Sequence, residues 1–178
     1  MRIRLLTAAV LTSAVVLAAC GNDDGADVRQ IGGEVSGSQA ASGTAECTPI
    51  GDFATADTTV NATLDEYSVT LDTEAVTTGA VHIAAENIGD EPHEILVVEA
   101  GSPDDLPVGA DNRVSEDDLP DGSLIGEIEA FPGGQTCDGT FDLDPGTYVL
   151  FCNLVTSPGG IEVSHFMEGM ATTLTVTG

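Results

Sequence analysis

The chain has 178 residues, with 30 Asp and Glu against four Arg and no Lys, and its formal net charge is −26 at pH 7. The length suffices for one ordinary domain and a tail. The charge excludes nucleic acid and anionic lipid surfaces as partners; it favours a basic protein partner and also keeps a protein hydrated where salt is high.

In chain order, residues 1–19 read as an export signal. Arg2 and Arg4 form a short basic start, and an apolar run from Leu5 to Leu17 follows, too short to span a bilayer comfortably. The closing Leu17-Ala18-Ala19-Cys20 resembles a bacterial lipobox, in which the cysteine becomes the N-terminus and is acylated. Cys20 is therefore expected to carry lipid, anchoring the domain to the cell envelope outside the cytoplasm through lipid chains alone. A plain cleavage site that leaves Cys20 incidental is the simpler alternative. Loss of residues 1–19 removes two Arg and no acid, so the net charge becomes −26 − 2 = −28. Residues 20–45 are mostly Gly, Ser, Ala, Asp and Asn, which cannot bury enough surface to order themselves. They read as a flexible tether with a root-mean-square reach of about 25–30 Å.

From residue 46 to 178 the patterns are short strands separated by turn signals. Strands are predicted at 58–64, 67–71, 80–87, 93–100, 124–130, 135–143, 147–152 and 171–177. In the third, Val81, Ile83 and Ala85 alternate with His82, Ala84 and Glu86, so His82 reads as solvated surface. Gly89-Asp90-Glu91-Pro92, Pro132-Gly133-Gly134 and Asp144-Pro145-Gly146 are turns. Residues 101–122 differ, with seven acids and three prolines; they read as an acidic surface excursion, with one helical turn capped by Ser115. The whole predicts an all-β Greek-key sandwich or barrel.

Three soft or borderline donors lie in the last third: Cys152, His165 and Met170. His93 lies at a turn-to-strand junction some sixty residues earlier. Two imidazoles and a thiolate with a weak thioether form the donor set of a blue copper site. Cys152 ends a strand, and one loop carries three donors to the next strand. A dinuclear copper site needs a second cysteine in that loop, and structural zinc favours four strong ligands. For a nucleophilic Cys152, no helix N-terminus or basic neighbour is visible to lower its pKa.

Asn87 to Pro92 before His93, Pro145-Gly146-Thr147-Tyr148 running into Phe151-Cys152-Asn153, and His165-x4-Met170 resemble the cupredoxin family over about residues 58–178. The resemblance implies a Greek-key β-sandwich holding one type 1 copper through His93, Cys152, His165 and Met170. It also implies a one-electron carrier, not an enzyme, working with a cytochrome, an oxidase or a reductase. Met167 is the alternative axial donor. In the family the second histidine is typically near the surface in an apolar patch, which Pro158, Ile161, Phe166 and Met167 are placed to build here. Two features depart from the pattern. The gap between Cys152 and His165 holds twelve residues, longer than in small carriers, though copper domains of nitrite reductases share a longer loop. Glu94 stands where many members have Asn or Ser tying the ligand loops together, a role that Asn153 is placed to take. The alternative functions are copper delivery and a cupredoxin fold without copper. With Cys20 assigned to lipid and Cys152 to metal, Cys47 and Cys137 are left to pair as a disulfide in an oxidising compartment.

Overall fold

The computed structural model describes residues 46–178; the expected export signal, the acylated Cys20 and the tether of residues 20–45 lie outside the described residues. The strands are β1 (Thr58–Asp65), β2 (Ser68–Leu71), β3 (Ala75–Thr77), β4 (Gly79–Asn87), β5 (His93–Glu99), β6 (Leu124–Phe131), β7 (Gln135–Leu143), β8 (Gly146–Phe151), β9 (Val155–Thr156), β10 (Val163–Ser164) and β11 (Ala171–Thr177). They form a four-stranded sheet in the order β2-β1-β4-β7 and a five-stranded sheet in the order β3-β11-β8-β5-β6, with β9 and β10 a small separate pair. Two pairings, β1 with β4 and β3 with β11, are parallel and the rest antiparallel. This is a Greek-key sandwich of the cupredoxin type. Among the described residues no helix is long and apolar enough to cross a membrane.

Alternation drives the four-stranded sheet. Val60, Ala62 and Leu64 of β1, Val81, Ile83 and Ala85 of β4, and Cys137, Phe141 and Leu143 of β7 face inward. The five-stranded sheet is different, because Ile95 to Val98 of β5 and Tyr148 to Phe151 of β8 are buried without a break. A continuous apolar run needs cover on both faces. The inner face is the sandwich core, with Ile95, Val97, Tyr148 and Leu150. The outer face presents Leu96, Val98, Val149 and Phe151, and Leu106 and Val114 of the 101–122 segment lie over it.

That cover corrects the sequence reading of 101–122 as a surface excursion. Its carboxylates are exposed, but two of its apolar side chains complete a second core. The expected helical turn is a 3₁₀ turn, Glu116–Asp118. Ser115 makes no backbone cap there, and its Oγ donates to Asp118 Oδ2 at 2.7 Å. His82 is also corrected: it is only 5 % exposed, its ring stacks on Phe53 at 4.5 Å, and its Nδ1 lies 3.0 Å from Thr140 Oγ1. Phe53 belongs to a segment packed onto the sheet from outside, which strand periodicity does not reveal. Cys47 and Cys137 are joined by a disulfide across 90 positions, tying that same N-terminal segment to β7.

Candidate metal centre

The first donor is placed by a side chain that never touches it. Asn87, fully buried at the end of β4, donates from Nδ2 to the carbonyls of Glu91 (2.9 Å) and Phe131 (3.1 Å), and its Oδ1 accepts from the Gly89 N–H at 3.0 Å. This folds the 87–92 turn back so that Pro92 hands His93 to β5. Against it sits Gly133, where any Cβ would fall 2.1 Å from the Gly89 carbonyl oxygen, so the two turns close only with glycine there. The β5–β6 register shifts between His93 and Ile95, and His93, Glu94 and Ile95 are all buried in succession.

The other donors come from the end of β8 and the loop into β11. The Cys152 N–H donates to the Met170 carbonyl at 3.1 Å, and the Met170 N–H donates to the His165 carbonyl at 3.0 Å. The His165–Met170 turn, with Gly169 at φ +105°, thus returns Met170 to the flank of Cys152. Met170 is fully buried in the same core as Cys152, whereas Met167 is 55 % exposed. The sequence left these two methionines open as axial donor; burial in the core beside Cys152 favours Met170 over the half-exposed Met167.

His93, Cys152 and His165 are each fully buried, and their donor atoms lie within 4.8 Å of one another. The two Nδ1 atoms face each other at 3.1 Å, and Cys152 Sγ lies 3.4 Å from His165 Nδ1. The outward nitrogens meet carboxylates. His165 Nε2 is 3.2 Å from Glu91 Oε2 and 3.0 Å from Thr156 Oγ1. His93 Nε2 faces Glu66 Oε1 at 3.5 Å, close enough for attraction and too long for a good hydrogen bond. Glu66 is itself held by the N–H groups of Asp90 and Glu91, at 2.7 and 2.8 Å. Carboxylates at both Nε2 atoms favour the tautomers that keep the proton on Nε2 and leave each Nδ1 free to donate to an ion.

Burial keeps this cluster uncharged without a cation. It lowers the pKa of His93, with the neighbouring His165 adding to the shift, and it lowers that of His165 against the opposing pull of Glu91. Burial, followed by the Glu94 charge, pushes the Cys152 thiol up to about 12. A thiolate here therefore requires a positive partner.

The donor set fits copper. Metal–nitrogen bonds are about 2.0 Å, so two nitrogens on one ion lie no more than about 4 Å apart; the Nδ1 pair meets that limit with the sulfur beside it. Thiolate and thioether favour Cu(I), and imidazole serves both oxidation states.

Two expectations about the surroundings change. His165 is not itself exposed: it lies under a single layer of partly exposed side chains, Glu91, Thr156 and Tyr67, the last with its ring centroid 5.0 Å away. Phe166 does not join an exit patch, since it stacks edge-on against Phe151 at 5.3 Å in the second core. Pro158, Ile161 and Met167 are exposed. Glu66, Tyr67, Glu91 and Thr156 were not singled out in the sequence as neighbours of the donors. Only Glu91, next to Pro92-His93, carried a positional hint.

No family model matches the chain, and no curated protein does. Solved structures do match. Auracyanin from Roseiflexus castenholzii is 25 % identical, with 69 % of this chain and 99 % of that chain covered and a TM-score of 0.50. Auracyanin A from Chloroflexus aurantiacus is 20 % identical, covering 73 % of this chain and 100 % of that one, with a TM-score of 0.44. Reduced rusticyanin is 15 % identical, covering 67 % and 79 %, with a TM-score of 0.47. The sandwich, the first of these matches and the buried donor set agree: the chain has the cupredoxin fold, with His93, Cys152, His165 and Met170 positioned as a type 1 copper site.

Proposed function

We propose that the protein is a lipid-anchored electron carrier of the cell envelope, working outside the cytoplasm and not as an enzyme. It takes and gives single electrons at one type 1 copper, between partners such as a cytochrome, an oxidase or a reductase. The observation that carries this reading is the buried convergence of two Nδ1 atoms and one Sγ, with Met170 beside them. When bound, copper supplies one-electron exchange between Cu(I) and Cu(II). The chain's own residues do the rest. Asn87 and the 87–92 turn hold His93, the His165–Met170 turn holds Met170 against Cys152, and full burial of the four side chains keeps water from the donors. Donors fixed from several sides have little to rearrange when charge changes. The Roseiflexus relative is a dithionite-reduced protein, which accords with a redox role.

Acylation of Cys20 would hold the domain at the membrane, with the tether giving it reach. Exposed Ile161 and Met167 lie in the ligand loop beside Glu162 and Glu168, and a partner with basic side chains around an apolar contact suits that surface. Copper delivery is the second reading; it calls for an accessible donor, and none of the four is exposed.

The test is a visible spectrum of the full chain in detergent after addition of Cu(II), and again after ascorbate. An intense blue band that bleaches on reduction is expected. Only the faint colour of ordinary Cu(II), or no binding, overturns the carrier and leaves copper handling or an empty fold.

A further inference from the structure

Each of the three close donors has a chain neighbour with a buried polar side chain: Glu94 after His93, Asn153 after Cys152, and Ser164 before His165. These three form one linked set. The Asn153 N–H donates to Glu94 Oε1 at 3.0 Å, joining the first donor segment to the second. Asn153 Oδ1 accepts from the Val114 N–H at 2.7 Å, and its Nδ2 donates to the Val114 carbonyl at 3.0 Å. Ser164 Oγ donates to the Asn112 carbonyl at 2.6 Å and accepts from the Met167 N–H at 3.2 Å. Asn112 and Val114 are two residues apart in the acidic segment, so one short piece of backbone grips both ends of the loop between Cys152 and His165.

That piece has firm footing. The Gly109 N–H donates to the Arg113 carbonyl, and the Ser115 N–H to the Pro107 carbonyl, each at 2.7 Å. Val114 is 3 % exposed over the outer face of β5 and β8. A twelve-residue loop that carries two donors at its ends resists ordering by its own entropy. Asn112 and Val114 act through their own neutral backbone groups on the Ser164 hydroxyl and the Asn153 amide, and the one charged contact is a long one, Asn153 Nδ2 donating to Glu116 Oε1 at 3.4 Å, so the role rests mainly on uncharged groups.

The geometry points to residues 112–114 as a strap that fixes the long ligand loop, with Asn153 and Ser164 as the positioning residues through which it sets Cys152 and His165. The strap's effect at the ion rests on the copper reading; its effect on the loop does not.

The test uses the full chain as parent, Asn153→Ala, Ser164→Ala, Ser164→Thr, and Asp117→Asn as a charge control. Amide hydrogen exchange of the metal-free proteins is read first. Exchange across residues 154–165 should speed about tenfold in the two alanine variants, the loss expected for one or two buried hydrogen bonds. Ser164→Thr, which keeps the hydroxyl, and Asp117→Asn should match the parent. With copper bound, transfer of the ion to a strong chelator should speed by a similar factor in the alanine variants alone. Parent-like loop exchange in both alanine variants overturns the strap, as does faster exchange spread evenly over both sheets. If Asn153→Ala does not fold, the contrast between Ser164→Ala and Ser164→Thr decides. A parent that never turns blue sinks the copper reading and leaves the exchange result to judge the strap by itself.

Discussion

His165 Nε2 lies 3.2 Å from Glu91 Oε2, across 74 positions of chain, with the His165 side chain fully enclosed and that of Glu91 22 % exposed. A carboxylate at the far side of a ligating imidazole raises its basicity and favours the more positive metal state. Glu91→Gln should therefore raise the reduction potential, by on the order of tens of millivolts given solvent screening of a partly exposed charge. Voltammetry of the two copper-loaded proteins measures it; an unchanged or lowered potential contradicts the role given to Glu91.

The axial position separates the two methionines of the ligand loop. Met170→Leu removes a donor from a fully buried place beside Cys152 and should move the potential upward, because Cu(II) needs the extra donor more than Cu(I) does. Met167→Leu alters a half-exposed side chain and should leave both the absorption spectrum and the potential as they were. The reverse pattern would make Met167 the axial donor.

Buried carboxyls set a pH dependence of stability. Burial, followed by the charges of Glu129 and Glu116, pushes Glu127 up to about 7, and the facing Glu94 is pushed up by burial and by Glu127. An acid whose folded pKa lies above its unfolded value stabilises the fold fully below about 4.5, and that stability is lost as pH rises through about 7. Between pH 5 and pH 8 the two acids therefore contribute a fall in parent stability, against the opposite contribution of His93 and His165, whose lowered pKa values make the fold gain as pH rises towards 6.5. Glu127→Gln should flatten the fall and be the more stable protein at pH 8, by up to about 1 kcal/mol after discounting for partial exposure. Urea midpoints of the metal-free proteins at the two pH values decide this, and equal slopes for parent and variant would refute it.

Cys47 and Cys137 close a loop of 90 residues, and removing such a crosslink frees the unfolded chain. The double variant Cys47→Ala, Cys137→Ala should lose about 2–4 kcal/mol of unfolding free energy. Its copper absorption band should be that of the parent, since neither cysteine belongs to the donor cluster. Denaturant unfolding and a spectrum of the same sample test both halves.

The sequence by itself determined eight of the eleven strands and the donors. Val81, Ile83 and Ala85 alternate with His82, Ala84 and Glu86 at the period of a strand, and the apolar run Ile95 to Val98 reads as a strand without saying what covers its second face. The donors were legible because copper needs one thiolate, two imidazoles and a soft fourth group, and such residues are rare enough in this chain to stand out at His93, Cys152, His165 and Met170. Both are local or compositional properties. Tertiary structure alone decided what surrounds them. The short strand β3 has too few residues to show a period and exists through its pairing with β11. Glu66 and Glu91 reach the imidazoles, Tyr67 covers His165, and Phe166 turns to the second core. The acidic segment hides the same lesson. Its net charge dominates its composition, yet Leu106, Val114 and a few backbone groups set its place in the molecule. Each of these depends on contacts between residues distant in the chain, and a carboxylate or a valine looks the same in sequence whether it meets water or the back of a ligand.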